Sequence, residues 1–155
     1  MSQQASDRYR QAVYRAEDQW SAVLDRGGEV DFFGSRLTAP LQLRFGNLDD
    51  VETYVGRVCS NRDIGPPGVR RRKGGSRAHY EVESRMIAIP VDHTWAMRES
   101  VILHEVAHHI CVIEHFSNLH DAHFTSIMLS LVRAELGHEA ELLLRTGYVS
   151  VGASV

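Results

Sequence analysis

The sequence predicts an α+β fold in which a small, mostly antiparallel sheet packs against several helices. Helical periodicities occur towards both ends of the chain, and short extended segments lie between residues 40 and 90. With 155 residues, 43% of them hydrophobic and 24% charged, the chain has the size and composition of one globular domain. We therefore expect a single domain over residues 1–155.

The first part of the chain predicts helix, strand and helix in that order. Apolar residues recur at helical spacing over about residues 6–24, and Gly27-Gly28 follow as a stop signal. Residues 41–45 alternate apolar and polar side chains, which predicts a half-buried strand. Asn47 or Asp49 is suited to cap the next helix, whose buried stripe comprises Leu48, Val51, Val55 and Val58.

The middle of the chain predicts the remaining strands. Residues 69–73 and 77–82 flank Gly74-Gly75, a pattern typical of a β-hairpin. Residues 86–90 predict a short apolar strand that a proline closes. We expect the sheet to occupy about residues 40–90.

The last third of the chain predicts helices only. Residues 95–116 contain no Gly or Pro and are rich in apolar side chains, which indicates a buried helix. Ser117-Asn118 break the pattern, and further helices follow over about residues 121–146, with Gly137 dividing them.

The buried helix carries the pentad His104-Glu105-Val106-Ala107-His108. Residues on an α-helix advance by about 100° each, so the two histidines lie about 40° apart, one turn along the same face. Imidazoles so placed can bind one Zn²⁺, and the intervening glutamate can accept a proton from water. The alternative is a core helix whose histidines are satisfied by hydrogen bonds.

A catalytic zinc site usually has three protein ligands, so one remains to be found. Metzincin spacing would give Glu114, but a required glycine is replaced by Cys111. On a continuing helix, His115 lies about 10 Å beyond the pentad. The sequence favours His120, which follows the helix break, and leaves His123 open as the next choice. A carboxylate such as Glu135 ranks behind both.

The pentad, the segment from His120 to Phe124 and a helix ending at Gly137 resemble the SprT-like zincin metallopeptidases, in particular a group of short actinobacterial metallohydrolases. In that group an HExxH helix precedes an HGxxF-like segment. The resemblance covers the layout of residues 41–147, although only the two motifs are specific.

The resemblance implies a zincin-like fold and one zinc ion per chain, held by His104, His108 and His120, with Glu105 as the catalytic glutamate. Asp121 stands where the group usually has glycine. Aspartate tolerates left-handed backbone conformations better than most residues, and its carboxylate is able to orient a ligand histidine.

Other residues of interest have simpler explanations. Cys111 is either a fourth ligand that closes the site or, as we favour, a buried hydrophobic residue. The basic run over residues 70–73 is either a nucleic-acid contact or, as we favour, a solvated face. Tyr80, Tyr148 and His93 are candidates to stabilise the oxyanion of a tetrahedral intermediate, and the sequence does not choose among them.

These patterns predict a zinc-dependent hydrolase, and a peptidase in particular. We expect a peptide or protein substrate to lie extended along residues 86–90 and to pair with that strand through main-chain hydrogen bonds. The alternative function is a non-catalytic binding or regulatory protein that a metal stabilises and whose basic hairpin contacts a partner or nucleic acid.

The composition also predicts a location. The N-terminal residues lack the apolar core of a signal peptide, and no segment reaches the 18 or so apolar residues that span a bilayer. Two cysteines form no framework, as is typical of a reducing compartment. We expect a cytoplasmic protein without membrane contact. The net charge of −3 argues neither for nor against a nucleic-acid partner, and we do not favour one.

Overall fold

The computed structural model describes residues 6–155, so the N-terminal segment considered for a signal peptide lies partly outside the described residues. Five α-helices occur in this part of the chain: α1 (Arg10–Arg26), α2 (Leu48–Ser60), α3 (Glu99–His115), α4 (Ala122–Leu136) and α5 (His138–Val151). Five strands accompany them: β1 (Gly28–Phe32), β2 (Ser35–Ala39), β3 (Gly68–Arg71), β4 (His79–Glu81) and β5 (Met86–Ile89). A short 3₁₀ helix spans Thr94–Met97.

The strands form two small sheets. β1 and β2 make an antiparallel hairpin of their own. The second sheet has the order β3-β5-β4, in which β5 runs parallel to β3 and antiparallel to β4. The prediction of an α+β fold with mostly antiparallel pairing is therefore confirmed.

Helix α1 packs against α5 over most of its length. Its buried face carries Val13, Trp20 and Leu24 at helical spacing, as the sequence predicts. The indole Nε1 of Trp20 donates a hydrogen bond to the backbone oxygen of Ala140, 3.0 Å away at the start of α5. This contact helps to fix α1 against α5.

Helix α3 lies at the centre of the molecule and is buried from Ile102 to Cys111. Its first residue, Glu99, is itself buried and accepts hydrogen bonds from the backbone N–H of Leu43 at 2.9 Å and from the hydroxyl of Tyr54 at 2.5 Å. Because burying a carboxylate is costly without partners, these contacts hold α2 and residues 41–45 against the start of α3.

The predicted strand over residues 41–45 does not form. Leu41 and Leu43 are exposed, whereas Gln42 is buried, which reverses the expected alternation. The Gln42 side chain donates to Asp25 Oδ1 at 2.8 Å and accepts from the Ser100 N–H at 2.9 Å. Through these hydrogen bonds the segment links α1 to α3. Its β-type pairing is limited to one isolated bridge, Arg44 with Arg98.

The predicted hairpin around Gly74-Gly75 is also wrong. β3 and β4 do not pair with each other, because each pairs with one side of β5. β5 contains the fully buried Ile87, Ala88 and Ile89 and so occupies the middle of the sheet. The hairpin that does form, β1 with β2, turns at Phe33 and Gly34, both with positive φ.

The central place of β5 corrects the predicted path of a peptide substrate. A peptide can add only to a strand with a free edge, and both edges of β5 are occupied by β3 and β4. The edge strand on the side of α3 is β4, which contacts that helix.

The predicted helices after residue 90 are confirmed with small shifts at their ends. α3 ends at His115, where Phe116 adopts a left-handed conformation with φ 53°. Residues 116–121 then turn back, and Asp121 caps α4 by accepting a hydrogen bond from the Phe124 N–H at 3.2 Å. Gly137, with φ 98°, separates α4 from α5.

Candidate metal centre

His104 and His108 lie one turn apart on α3, as the pentad predicts. Their Nε2 atoms are 3.2 Å apart, and both side chains are almost fully buried. Burial is the larger cause, and electrostatic interaction with His120 the next, that holds the pKa of His104 well below its ordinary value. The pKa of His108 is also held well below its ordinary value, mainly by burial and next by electrostatic interaction with His104. Both imidazoles are therefore neutral, which is the form that binds a metal ion.

His120 joins these two histidines from the turn before α4. Its Nε2 atom lies 3.1 Å from that of His108 and 3.2 Å from that of His104. Three nitrogen atoms bound at tetrahedral angles to one zinc ion would lie about 3.3–3.4 Å apart, given Zn–N distances of about 2.0–2.1 Å. The spacing of the three nitrogens thus fits one small metal ion.

The other candidates for third ligand lie elsewhere. His123 is exposed on α4 and stacks on His115, with ring centroids 4.3 Å apart. Glu114 lies 3.9 Å from His115 on the surface, and Glu135 pairs with Arg57 at 2.9 Å. Among residues 6–155, His104, His108 and His120 are the group of His, Cys, Asp or Glu side chains that is arranged to hold a metal ion.

Two carboxylates orient the histidines from behind. Glu17 Oε1 lies 2.6 Å from Nδ1 of His104, and Asp7 Oδ2 lies 2.6 Å from Nδ1 of His120. Asp7 Oδ1 also accepts the backbone N–H of His120 at 3.0 Å. In its ionised form each carboxylate only accepts hydrogen bonds, so Nδ1 carries the proton and the Nε2 atoms of His104 and His120 are left with lone pairs. These lone pairs converge on one point, where they repel each other unless a cation lies between them.

Glu17 has a second partner that fixes its own orientation. The hydroxyl of Tyr148, a fully buried residue of α5, donates to Glu17 Oε2 at 2.7 Å. Burial raises the pKa of Glu17 to about 8, and this hydrogen bond opposes the rise. The carboxylate thus links α1 to both α3 and α5.

Aromatic rings enclose the three histidines. The ring of Phe124, in the first turn of α4, lies 4.6–5.0 Å from each of the three imidazoles. Tyr14 of α1 stacks on His104 with centroids 5.0 Å apart and an interplanar angle of 21°. His108 Nδ1 is buried without a hydrogen-bond partner among the described residues, so no contact at that nitrogen orients the ring.

Glu105 is buried beside the histidine cluster. Its pKa is raised to about 8, first by burial and next by the nearby Glu17, and a hydrogen bond from the Tyr80 backbone on β4 opposes the rise. The residue lines a cavity between α1, α3 and the chain that enters β4. The walls of this cavity include Tyr14, Arg77, Ala78 and Trp95, together with His104.

The favoured interpretations of Cys111 and of the basic run agree with the structure. Cys111 is fully buried in the hydrophobic core, and burial raises the pKa of its thiol to about 12. Arg70 and Arg71 pair with Glu81 and Asp92 at 2.7 and 2.8 Å on the exposed side of the sheet.

The residues weighed for oxyanion stabilisation do not gather at the cluster. The Tyr80 hydroxyl bonds to Nδ1 of His109 at 2.8 Å, and that of Tyr148 is taken by Glu17. His93 is exposed near Trp95. Asp121 does not orient a ligand histidine: it caps α4, with an extended backbone at φ −93°. The carboxylate that orients His120 is that of Asp7.

Sequence reasoning missed Asp7, Glu17 and Tyr14. Glu17 carried one available signal, because it lies on the buried face of α1 between Val13 and Trp20, where an apolar residue would be expected. Asp7 lies before the helix and carried no such signal. Both contact their histidines across long stretches of chain, 87 and 113 residues, which no local pattern reports.

Comparisons with family models, curated proteins and solved structures find no match to this chain. Among the described residues, no helix has the length and apolar character needed to cross a bilayer.

Proposed function

We propose that this protein is a zinc-dependent hydrolase, and a peptidase in particular. The observation that carries the proposal is the convergence of three histidine Nε2 atoms, 3.1–3.2 Å apart, with carboxylates behind two of the rings. Hydrogen-bonded core histidines would pair donors with acceptors. Here the acceptor nitrogens of His104 and His120 face each other and the Nε2 atom of His108, an arrangement that a bound cation stabilises.

His104, His108 and His120 would hold the ion. A nitrogen-only donor set suits zinc and several other transition metals, and the HExxH pattern favours zinc. When bound, such an ion polarises a carbonyl group and makes water more acidic. We further propose that the protein is a SprT-like zincin with a zincin-like fold.

In the proposed reaction, Glu105 acts as the general base. It follows His104 directly on α3 and reaches the cavity beside the histidines. In this role it accepts a proton from the attacking water and returns it to the leaving amine. The backbone of Tyr80 on β4, which contacts Glu105, places an edge strand next to the reacting groups. An extended peptide would therefore meet β4 rather than β5.

The alternative of a non-catalytic metal site needs a fourth protein ligand that fills the position of water. Within residues 6–155, neither Cys111 nor His123 joins the three histidines. The open position favours the hydrolase. Two buried, unpaired thiols, Cys59 and Cys111, support action in the reducing cytoplasm.

Metal content tests the site. Protein purified without added zinc and then loaded should contain about one zinc per chain. His104→Ala and His120→Ala should lose the metal, whereas His123→Ala, which changes an exposed histidine three residues after His120, should keep it. Elemental analysis after gel filtration gives the ratio. A folded wild type that takes up no zinc would contradict the proposal.

Substitution of the base tests the chemistry. Glu105→Gln should retain one zinc but lose at least about 100-fold of the hydrolysis of fluorescent casein or of a quenched randomised peptide mixture. The wild type loaded with zinc serves as the positive control. Undiminished hydrolysis by this variant would exclude Glu105 as the base.

A further inference from the structure

A groove runs along the exposed side of α1 next to the candidate metal centre. It is lined mainly by Arg10, Tyr14, Arg15, Asp18 and Arg77. The remaining lining side chains, Gln11 and Gln19, are uncharged. Three arginines therefore face one aspartate along this groove, although the whole chain has a net charge of −3.

The groove adjoins the cavity that contains Glu105. Tyr14, Asp18 and Arg77 line both, so these three side chains lie at the boundary between them. The Tyr14 ring stacks on His104 at 5.0 Å on the inner side. The Arg77 guanidinium lies 4.3 Å from the centre of the same ring, and that of Arg10 lies 5.6 Å from it. The positive charge of Arg10 and Arg77 thus lies against the aromatic ring that covers His104.

The arginines are available to an incoming ligand. Neither Arg10 nor Arg15 forms a salt bridge with any residue that the structure describes, and both are exposed. Arg77 pairs with Asp18 at 3.1 Å, with 42% and 58% of the two side chains exposed. A pair so exposed is weak, so a carboxylate of a ligand can replace Asp18.

We infer that the substrate is an acidic peptide, whose Asp or Glu side chains next to the cleaved bond lie in this groove against Arg10, Arg15 and Arg77. The inference rests on the proposed hydrolase function and adds the class of substrate. Arginine binds carboxylates through paired N–H groups, and a groove of one charge attracts ligands of the opposite charge.

Binding to a variant that does not turn over substrate tests the inference. Zinc-loaded Glu105→Gln is titrated into fluorescein-labelled decapeptides of alternating Ala with Glu, Gln or Lys, and anisotropy is followed at low and at physiological salt. The Glu peptide should bind at least about tenfold more tightly than the Gln peptide, with the difference shrinking as salt rises. The Lys peptide should bind least.

Arginine variants locate the binding. Arg10→Gln, Arg15→Gln and Arg77→Gln, each added to Glu105→Gln, should each weaken binding of the Glu peptide by about two- to fivefold and leave the Gln peptide unaffected. Arg133→Gln is the matched control, since Arg133 is an exposed arginine on α4, away from the groove. Equal binding of the three peptides, or an equal loss with the control, would overturn the inference.

Two further outcomes separate this inference from the proposed function. If zinc-loaded wild type cleaves Gln-rich peptides as fast as Glu-rich peptides, the hydrolase stands and the acidic preference is wrong. If the groove binds the Glu peptide but the wild type cleaves none, the acidic ligand stands and the hydrolase fails. Tighter binding of a single-stranded oligonucleotide of equal charge, lost with the same arginines, would show a nucleic-acid groove and overturn the peptide assignment.

Discussion

Glu17 connects two buried groups that lie far apart in the sequence. It accepts hydrogen bonds from His104 on one oxygen and from Tyr148 on the other, at 2.6 and 2.7 Å. A carboxylate behind a ligand histidine fixes its tautomer and makes it a better donor to the metal. The affinity of the site therefore depends on α1, which carries none of the three histidines.

Glu17→Gln should weaken zinc binding by about 10- to 100-fold, because the neutral amide is a poorer acceptor for the His104 N–H. Competition with a chromophoric chelator measures the affinity. The matched control is Glu29→Gln, an exposed glutamate of β1 that pairs with Arg36. Unchanged zinc affinity in Glu17→Gln would show that this contact does not tune the site.

Tyr148→Phe should act on stability. The variant leaves one buried oxygen of Glu17 without its donor, at a cost of about 1–3 kcal/mol in the free energy of unfolding. Urea denaturation of the metal-free protein measures this loss. Val149→Ala, which changes the exposed neighbour on α5, should alter the midpoint little.

The two cysteines give a pH-dependent prediction. Burial raises the pKa of Cys59 to about 11 and that of Cys111 to about 12. Because the folded-state pKa of each thiol is raised, the thiols contribute to stability at a pH below their ordinary pKa near 9. This contribution is lost as the pH rises through 11 to 12. Iodoacetamide at pH 8.5 should therefore label neither thiol in the native protein and both in urea, as mass spectrometry can count. Rapid labelling of native Cys111 would contradict its place in the core.

At this scale the sequence predicts the residues of one helix and its neighbouring turn. The helical spacing of the pentad brings His104 and His108 together, and the break after α3 explains why His120 can turn back. Asp7 and Glu17 were beyond prediction because their contacts with His120 and His104 depend on how distant parts of the chain pack together, which only the tertiary structure decides.

Among the elements, the start of α4 matters most to the site, since its cap residue follows His120 directly. Asp121 accepts the Phe124 N–H, and Phe124 packs against the three imidazoles. The cap therefore helps to set both the position of His120 and the ring that encloses the cluster.

Substitutions at Asp121 should follow the order of cap preference. Asp121→Asn should be close to wild type, Asp121→Gly should lose a few tenths of a kcal/mol, and Asp121→Ala should lose about 0.5–2 kcal/mol. The free energy of unfolding of the metal-free variants in urea gives the order. Asp121→Ala should also bind zinc more weakly, and equal stability of the Ala and Asn variants would argue that the cap contributes nothing.

The helices were predictable and the strands largely were not. Helical spacing is a local property, so α1, α2, α3 and α4 follow from it with small errors at their ends. Strand pairing depends on distant partners. β3 and β4 are adjacent in sequence but meet different sides of β5, and Gln42 is buried because polar partners on α1 and α3 surround it.

For the whole molecule, a bound ion should contribute to folding. The three histidines converge only in the folded state, so zinc stabilises that state by about 2.7 kcal/mol at a free concentration 100 times its dissociation constant. Zinc should raise the melting temperature of the wild type, and EDTA should reverse the rise. His120→Ala should melt at the same temperature with and without zinc. A rise of equal size in that variant would indicate binding elsewhere.

The distance along the chain between α1 and the third histidine sets the order of events during synthesis. Asp7 and His120 are separated by 113 residues. At about 5–20 residues per second, a ribosome takes about 6–23 seconds to cover that interval. Asp7 and the first helix therefore leave the ribosome well before the histidines that Asp7 and Glu17 orient, and the complete centre assembles only once residue 120 has emerged.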